Sequence, residues 1–141
     1  VIRNPASVRP WQFVLEPLAG YLLLAERLYA GEQALVGGWN FGPDDADVQP
    51  VGQVVAALAG QWGAGAQWEI QSQNRLHEAG LLKLDCSKAK AQLGWQPRWS
   101  LNHTLASIAR WYQTFAQNPS QIPALMQAQI HEFATSKPHH D

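Results

Sequence analysis

Gly60, Gly63 and Gly65 are spaced G-x-x-G-x-G, dense enough in glycine to let backbone N–H groups approach a phosphate. A dinucleotide site of that kind needs a strand before the glycines and a helix after them. Here Val51, Val54, Val55 and Leu58 precede them at helical spacing, so the glycines read as the end of a helix. Proton relay on a hydroxyl would call for a tyrosine with a lysine four residues later. None of Tyr21, Tyr29 and Tyr112 has one. The Gly-x-Ser-x-Gly elbow, the phosphate loop and His-Glu-x-x-His are also missing from these residues. His77 and Glu78 are neighbours without a third partner, a pair more often structural than catalytic.

Metal chemistry has little to work with. Asp44, Asp45 and Asp47 bring three carboxylates together, but the EF-hand order is absent. A solvated acidic loop is preferred over a cation site. His139 and His140 have no third ligand close in sequence. Cys86 is the only cysteine, so no internal disulfide and no Cys-based metal site can form. That usage fits a reducing cytoplasm.

The elements that must position any site follow from periodicity. Val1 to Val14 is β-type sequence broken by Pro5 and Pro10, which predicts short extended pieces. Pro17 suits a helix start, because its missing N–H costs nothing in a first turn. Leu18, Leu22, Ala25 and Leu28 then recur at helical spacing, with Tyr21, Leu24 and Tyr29 widening the face and Gly31 as a stop. That face is broad enough for both sides to need packing. Trp39 to Phe41, between paired turn signals, predicts a brief buried strand. Strands are also predicted at 67–71 and 81–84. Asp85 or Ser87 can cap a short helix through Leu93, with Gly94 and Pro97 beyond it. Leu101, Leu105, Ile108, Tyr112 and Phe115 mark a further helix, and a weaker one is predicted from Pro123 to Phe133. The class is α/β or α+β, rich in helix.

Composition excludes several partners. The chain has 141 residues, 46% apolar and 15% charged, enough to build one core and too apolar for disorder. A formal net charge of −1 gives no field to hold nucleic acid or an anionic membrane. The longest apolar stretch, near Tyr21 to Ala25, is far short of a membrane span. Seven tryptophans imply a large core or a stacking surface, with the core preferred for Trp11, Trp95 and Trp99. The first residue is Val1, not Met, which suggests a fragment or a processed product.

Several longer runs occur together in order. They are Ile2-Arg3-Asn4-Pro5, Val8-Arg9-Pro10-Trp11-Gln12, Val14-Leu15-Glu16-Pro17-Leu18 and Gly20-Tyr21-Leu22-Leu23-Leu24-Ala25. Further on come Gly38-Trp39-Asn40-Phe41-Gly42-Pro43, His77-Glu78-Ala79, Leu82-Lys83-Leu84-Asp85-Cys86-Ser87-Lys88-Ala89 and Leu93-Gly94-Trp95-Gln96-Pro97-Arg98-Trp99. Over about residues 1 to 115 this pattern resembles the later part of CDP-glucose 4,6-dehydratases, a branch of the extended short-chain dehydrogenase/reductases. The resemblance implies an α/β fold made of the last Rossmann elements (1–43), a small helix-rich substrate lobe (44–120), and a carboxy-terminal helix and tail (121–141).

In that family the amino-terminal part holds NAD and the Tyr/Lys pair. Such an enzyme oxidises the sugar at C4 with NAD, eliminates water across C5 and C6, and returns the hydride to C6. The setting is lipopolysaccharide dideoxysugar synthesis, in the cytoplasm. For this chain the resemblance implies no cofactor of its own, no catalytic residue, and a nucleotide-diphosphate sugar, CDP-glucose, as ligand. Arg9 matches the family arginine facing the diphosphate, a role suited to a planar fork of parallel donors; a surface arginine lying over Trp11 is the plainer reading. Arg75 lies ten residues before Asp85, an offset at which related dehydratases place a second phosphate-binding arginine, although close CDP-glucose relatives carry histidine there. Asn40 could meet the ligand or pin a strand end. His77, Glu78 and Arg3 are further candidates. Phe13 stands where the family has histidine, so any ligand role of that histidine is lost. The competing expectation is a stand-alone binding or assembly module. Its broad apolar helix would then drive a homo-oligomer or association with a Rossmann-containing partner.

Overall fold

Proline placement limits how far any strand of this chain can grow. The computed structural model describes residues 1–71 and 80–138. Within them β1 (Val8–Pro10) pairs antiparallel with β2 (Val48–Pro50), with Arg9 opposite Gln49. Pro10 and Pro50 lack the N–H a longer ladder would need. The other edge of β1 is held as well. The Val8 N–H donates to the Gly80 carbonyl at 2.8 Å, and the Leu82 N–H donates to the Val8 carbonyl at 3.1 Å. A second parallel bridge joins Ile2 to Ile70. The strands predicted at 67–71 and 81–84 therefore contract to single bridges at Ile70 and Leu81, because the segments they meet are broken by Pro5 and Pro10.

The strand expected at Trp39 to Phe41 is not formed. The run is extended but bonds to side chains: the Phe41 carbonyl accepts from Gln12 Nε2 at 2.9 Å, and the Gly38 carbonyl from Lys88 Nζ at 3.0 Å. A strand needs a backbone ladder with its neighbour, and the described segment beside this one, 84–86, is tied to it through the Asn40 side chain.

Helices follow their local signals closely. α1 (Leu15–Tyr29) carries Pro17 in its first turn and ends where Gly31 adopts φ +95°. α2 (Val51–Trp62) ends at Gly63, φ +86°. A short helix with a π turn at Ala89–Leu93 is preceded by Asp85, whose carboxylate accepts from the Ser87 N–H at 2.9 Å, and is stopped by Gly94 in the left-handed region. α3 (Leu101–Gln117) is capped by the Ser100 hydroxyl, and α4 (Ile122–Thr135) has Pro123 in its first turn. α2 packs along α3, and α3 along α4.

One core gathers Leu35, Phe41, Cys86, Ala89, Leu93 and Trp95 against the inner side of α1, at Leu23, Leu24 and Leu28. Gly20 lets Phe41 lie directly on α1: a Cβ there would sit 2.3 Å from the Phe41 ring. A second cluster stacks Phe13 on Trp99 at 4.5 Å, with Phe133 edge-on to Trp99 at 5.5 Å. Phe13 is thus a packing residue.

Glu16 joins these two clusters. It is 1% exposed, and one carboxylate oxygen accepts from the N–H groups of Arg98 at 2.9 Å and Trp99 at 2.8 Å. Its second oxygen has no hydrogen-bond partner. Burial raises the carboxyl above its ordinary value, opposed by the two backbone N–H donors and by the Arg98 charge. Arg98 in turn donates from Nη1 to the carbonyls of Phe133, Ala134 and Ser136, closing the end of α4.

Gly20→Ala is expected to cost about 1–3 kcal/mol, the range for overpacking a filled core, read as a lowered denaturant midpoint. For Glu16 the folded value is raised, so the native state holds the proton more tightly than the unfolded chain. Its contribution is full below the unfolded value, about 4.3, and is lost as pH rises through the raised folded value. The stability of the wild type relative to Glu16→Gln should therefore increase as the solution is acidified through that window. A difference that stays flat from pH 7 to pH 4 contradicts it.

Candidate functional site

β1 alternates its side chains, so Ser7, Arg9 and Trp11 share one face of the strand segment. That face opens on a cleft of about 520 Å³ lined also by Arg3, Asn4 and Val51. Each wall has a fixed origin. The Trp11 indole N–H donates to the Gln49 carbonyl at 2.9 Å, which locks the ring against β2. The Val51 and Gly52 N–H groups, the first of α2, donate to the carbonyls of Ser7 and Pro5, each at 2.9 Å. The positive end of α2 therefore sits at the cleft. Arg9 is half-buried and donates from Nη1 to the Val8 carbonyl at 2.9 Å, which sets the start of its side-chain path. Arg3 is exposed at the rim.

The electrostatics are one-sided. Two guanidinium groups line the cleft, and no carboxylate does among the described residues. Such a site attracts an anion and can grip phosphate oxygens in parallel. Among the described residues no histidine or carboxylate lines it.

A second cleft, about 480 Å³, lies between 43–45 and 83–90. Its charges cancel. Lys83 pairs with Asp45 at 2.8 Å and Lys90 pairs with Asp44. The Lys83 contact holds the Asp45 carboxyl below its ordinary range. Asp44 and Asp45 are thus lysine partners, and no cluster of three metal-ligating side chains occurs among the described residues. Cys86 lines this cleft, but it is buried and burial pushes its thiol up, which makes it inert.

The structure sorts the candidates from sequence. Arg3 and Arg9 meet in one cleft. Asn40 does not join them: its Nδ2 donates to the Asp85 carbonyl at 3.2 Å, tying 40 to 85. Arg75, His77 and Glu78 lie outside the described residues, as do His139 and His140. Sequence reasoning passed over Ser7 and Asn4 as lining residues. The alternation of β1 was the available signal for Ser7, since it lies two residues before Arg9. Among the described residues no helix is long and apolar enough to cross a membrane.

No protein-family model matches the chain. Among curated proteins it is 48% identical over 122 residues to the CDP-glucose 4,6-dehydratase of Salmonella typhimurium. The match covers 86% of this chain and 34% of that protein, so the chain spans about a third of the length of the curated relative. The likeness read over about residues 1 to 115 is thereby borne out.

Proposed function

We propose that this chain is the carboxy-terminal, substrate-holding portion of a CDP-glucose 4,6-dehydratase-like enzyme, and that its ligand is a nucleotide-diphosphate sugar of the CDP-glucose kind. The observation that carries the reading is that Arg3 and Arg9 line one cleft. The 48% identity to a dehydratase supports the choice of ligand class. On this reading residues 1–43 are the last Rossmann elements, 44–120 the substrate lobe and 121–141 the closing helix and tail. Arg9 grips the diphosphate, with Arg3 at the rim. Arg75, His77 and Glu78 remain candidates for the same ligand. NAD, which takes the hydride from C4 and returns it to C6, is held by residues beyond this segment, as is the proton-transfer pair. The setting is cytoplasmic, in lipopolysaccharide sugar synthesis.

A second reading has its own support. Val14, Leu18, Tyr21, Leu22 and Tyr29 are exposed along the outer side of α1, with Leu22 at 72% and Tyr29 at 95%. An apolar stripe of this kind favours association, either with another copy or with a Rossmann-type partner. The two readings are compatible, because a substrate lobe can also carry an assembly face.

Calorimetry on the purified chain should detect binding of CDP-glucose and CDP, and no binding of NAD. Arg9→Gln should weaken CDP by about tenfold, the scale of one lost charge-assisted hydrogen bond. A chain silent to CDP, or an Arg9→Gln variant as good as the wild type, rules the ligand out. Sedimentation should find the wild type associated and Leu18→Glu/Leu22→Glu monomeric; a monomeric wild type removes the assembly reading.

A further inference from the structure

Trp95 and Trp99 are buried, as a core role requires, but Trp11 is not. It is half-buried and lines the cleft beside Arg3, Asn4 and Val51. Its indole N–H is already used, donating to the Gln49 carbonyl at 2.9 Å. What the side chain still offers a ligand is therefore carbon surface. Trp95, Trp99 and Trp111 each pack against another ring, and Trp39 lies under the Lys88 ammonium, whereas Trp11 has no such partner among the described residues.

The ring is also held still. Its N–H bond reaches β2, and β1 is paired with β2 up to Pro10, opposite Val48. Ordering a mobile side chain on binding is costly, and a tryptophan fixed in advance avoids most of that cost. The rest of the wall sorts by chemistry. Ile2 and Val51 add apolar surface, while Asn4 and Arg3 add polar groups. Arg9 stands two residues before Trp11 on the same strand face, about 7 Å along the chain. A ligand that matches this wall is flat and apolar over one part and polar over the next. A heteroaromatic base joined through a sugar to phosphate has that order, and a flat ring gains stacking that an aliphatic group does not.

We propose that Trp11 is the stacking platform for the nucleobase of the ligand. The inference rests on the reading of this cleft as a nucleotide-sugar site, and it names the part of the ligand that Trp11 meets. The stack acts through ring surface, so it asks nothing of the Arg9 guanidinium, which is already bonded at the Val8 carbonyl. Every base has a π face. Trp11 therefore favours nucleotides over simple sugar phosphates and chooses little among bases.

The test uses CDP as the probe, in calorimetry and in proton NMR of its cytosine ring, with wild type, Trp11→Leu and Trp11→Phe. Stacking on an indole moves the ring protons of a bound base upfield, and wild type should show that shift. Trp11→Leu should weaken CDP about tenfold, the scale of one base–aromatic stack, and abolish the shift. Trp11→Phe keeps a ring and loses the N–H, so it should keep the shift and bind more tightly than Trp11→Leu. Wild-type binding without an upfield shift refutes the stack and leaves the cleft reading standing; that measurement needs no variant to fold. Trp11→Leu binding within twofold of wild type refutes it as well. Equal losses in Trp11→Leu and Trp11→Phe mean that the indole serves the shape of the wall, which again refutes the stack. A wild type that does not bind CDP overturns the cleft reading itself, and the inference with it.

Discussion

A single buried carboxylate holds the two halves of this chain in register. Glu16 sits in the first turn of α1 and accepts from backbone N–H groups more than eighty residues away, at Arg98 and Trp99. A helix start and a loop entering α3 are thereby locked at one point. Phe13 stacks on Trp99 immediately beside it, so the exit of β1 into α1 is fixed by a hydrogen-bonded charge and an aromatic contact together. Arg98 extends the tie to the end of α4 through three carbonyls. Burying a carboxylate is costly. Two directed N–H donors, which an apolar side chain could not satisfy, and the charge of Arg98 oppose that cost in part, and burial still raises the carboxyl above its ordinary value.

That tie matters for function because β1 is short. Three residues of strand, with proline at the end, cannot orient side chains by ladder length alone. β1 is steadied on both edges, by β2 and by 80–82, and at its exit by the Phe13–Trp99 stack. Ser7, Arg9 and Trp11 are consequently presented on one side as a rigid set. The turn at 4–7 and the start of α2 complete the wall, since the Pro5 and Ser7 carbonyls accept from the first N–H groups of α2. The cleft is built from pieces that pin one another.

α1 divides the molecule's surface in character. Its inner residues, Leu23, Leu24 and Leu28, meet the core, while Leu18, Tyr21 and Leu22 face outward and apolar. A helix apolar on two sides is designed for two neighbours. This chain supplies one of them among its described residues.

The helices were legible in sequence because their hydrogen bonds close within four residues. Pro17 and Gly31 bracket α1, Asp85 and Gly94 bracket the short helix between them, and both readings hold in the structure. The motif around Arg9 was legible as residue types in order, and so was the apolar breadth of α1. Strands were not, because their partners are chosen at a distance. The run at 39–41 has strand-like residues but meets 84–86 through a side chain and not a ladder, and 67–71 and 81–84 keep one bridge each. The same physics governed the site. Only folding brought Arg3 beside Arg9, turned Asn40 toward Asp85, and buried the hydroxyl of Ser7 without a partner. Those contacts depend on β1 pairing with a segment forty residues on and on α2 starting against the 4–7 turn. Spacing along the chain carries no record of such long-range choices, so sequence supplied the chemical groups and tertiary structure decided which of them meet.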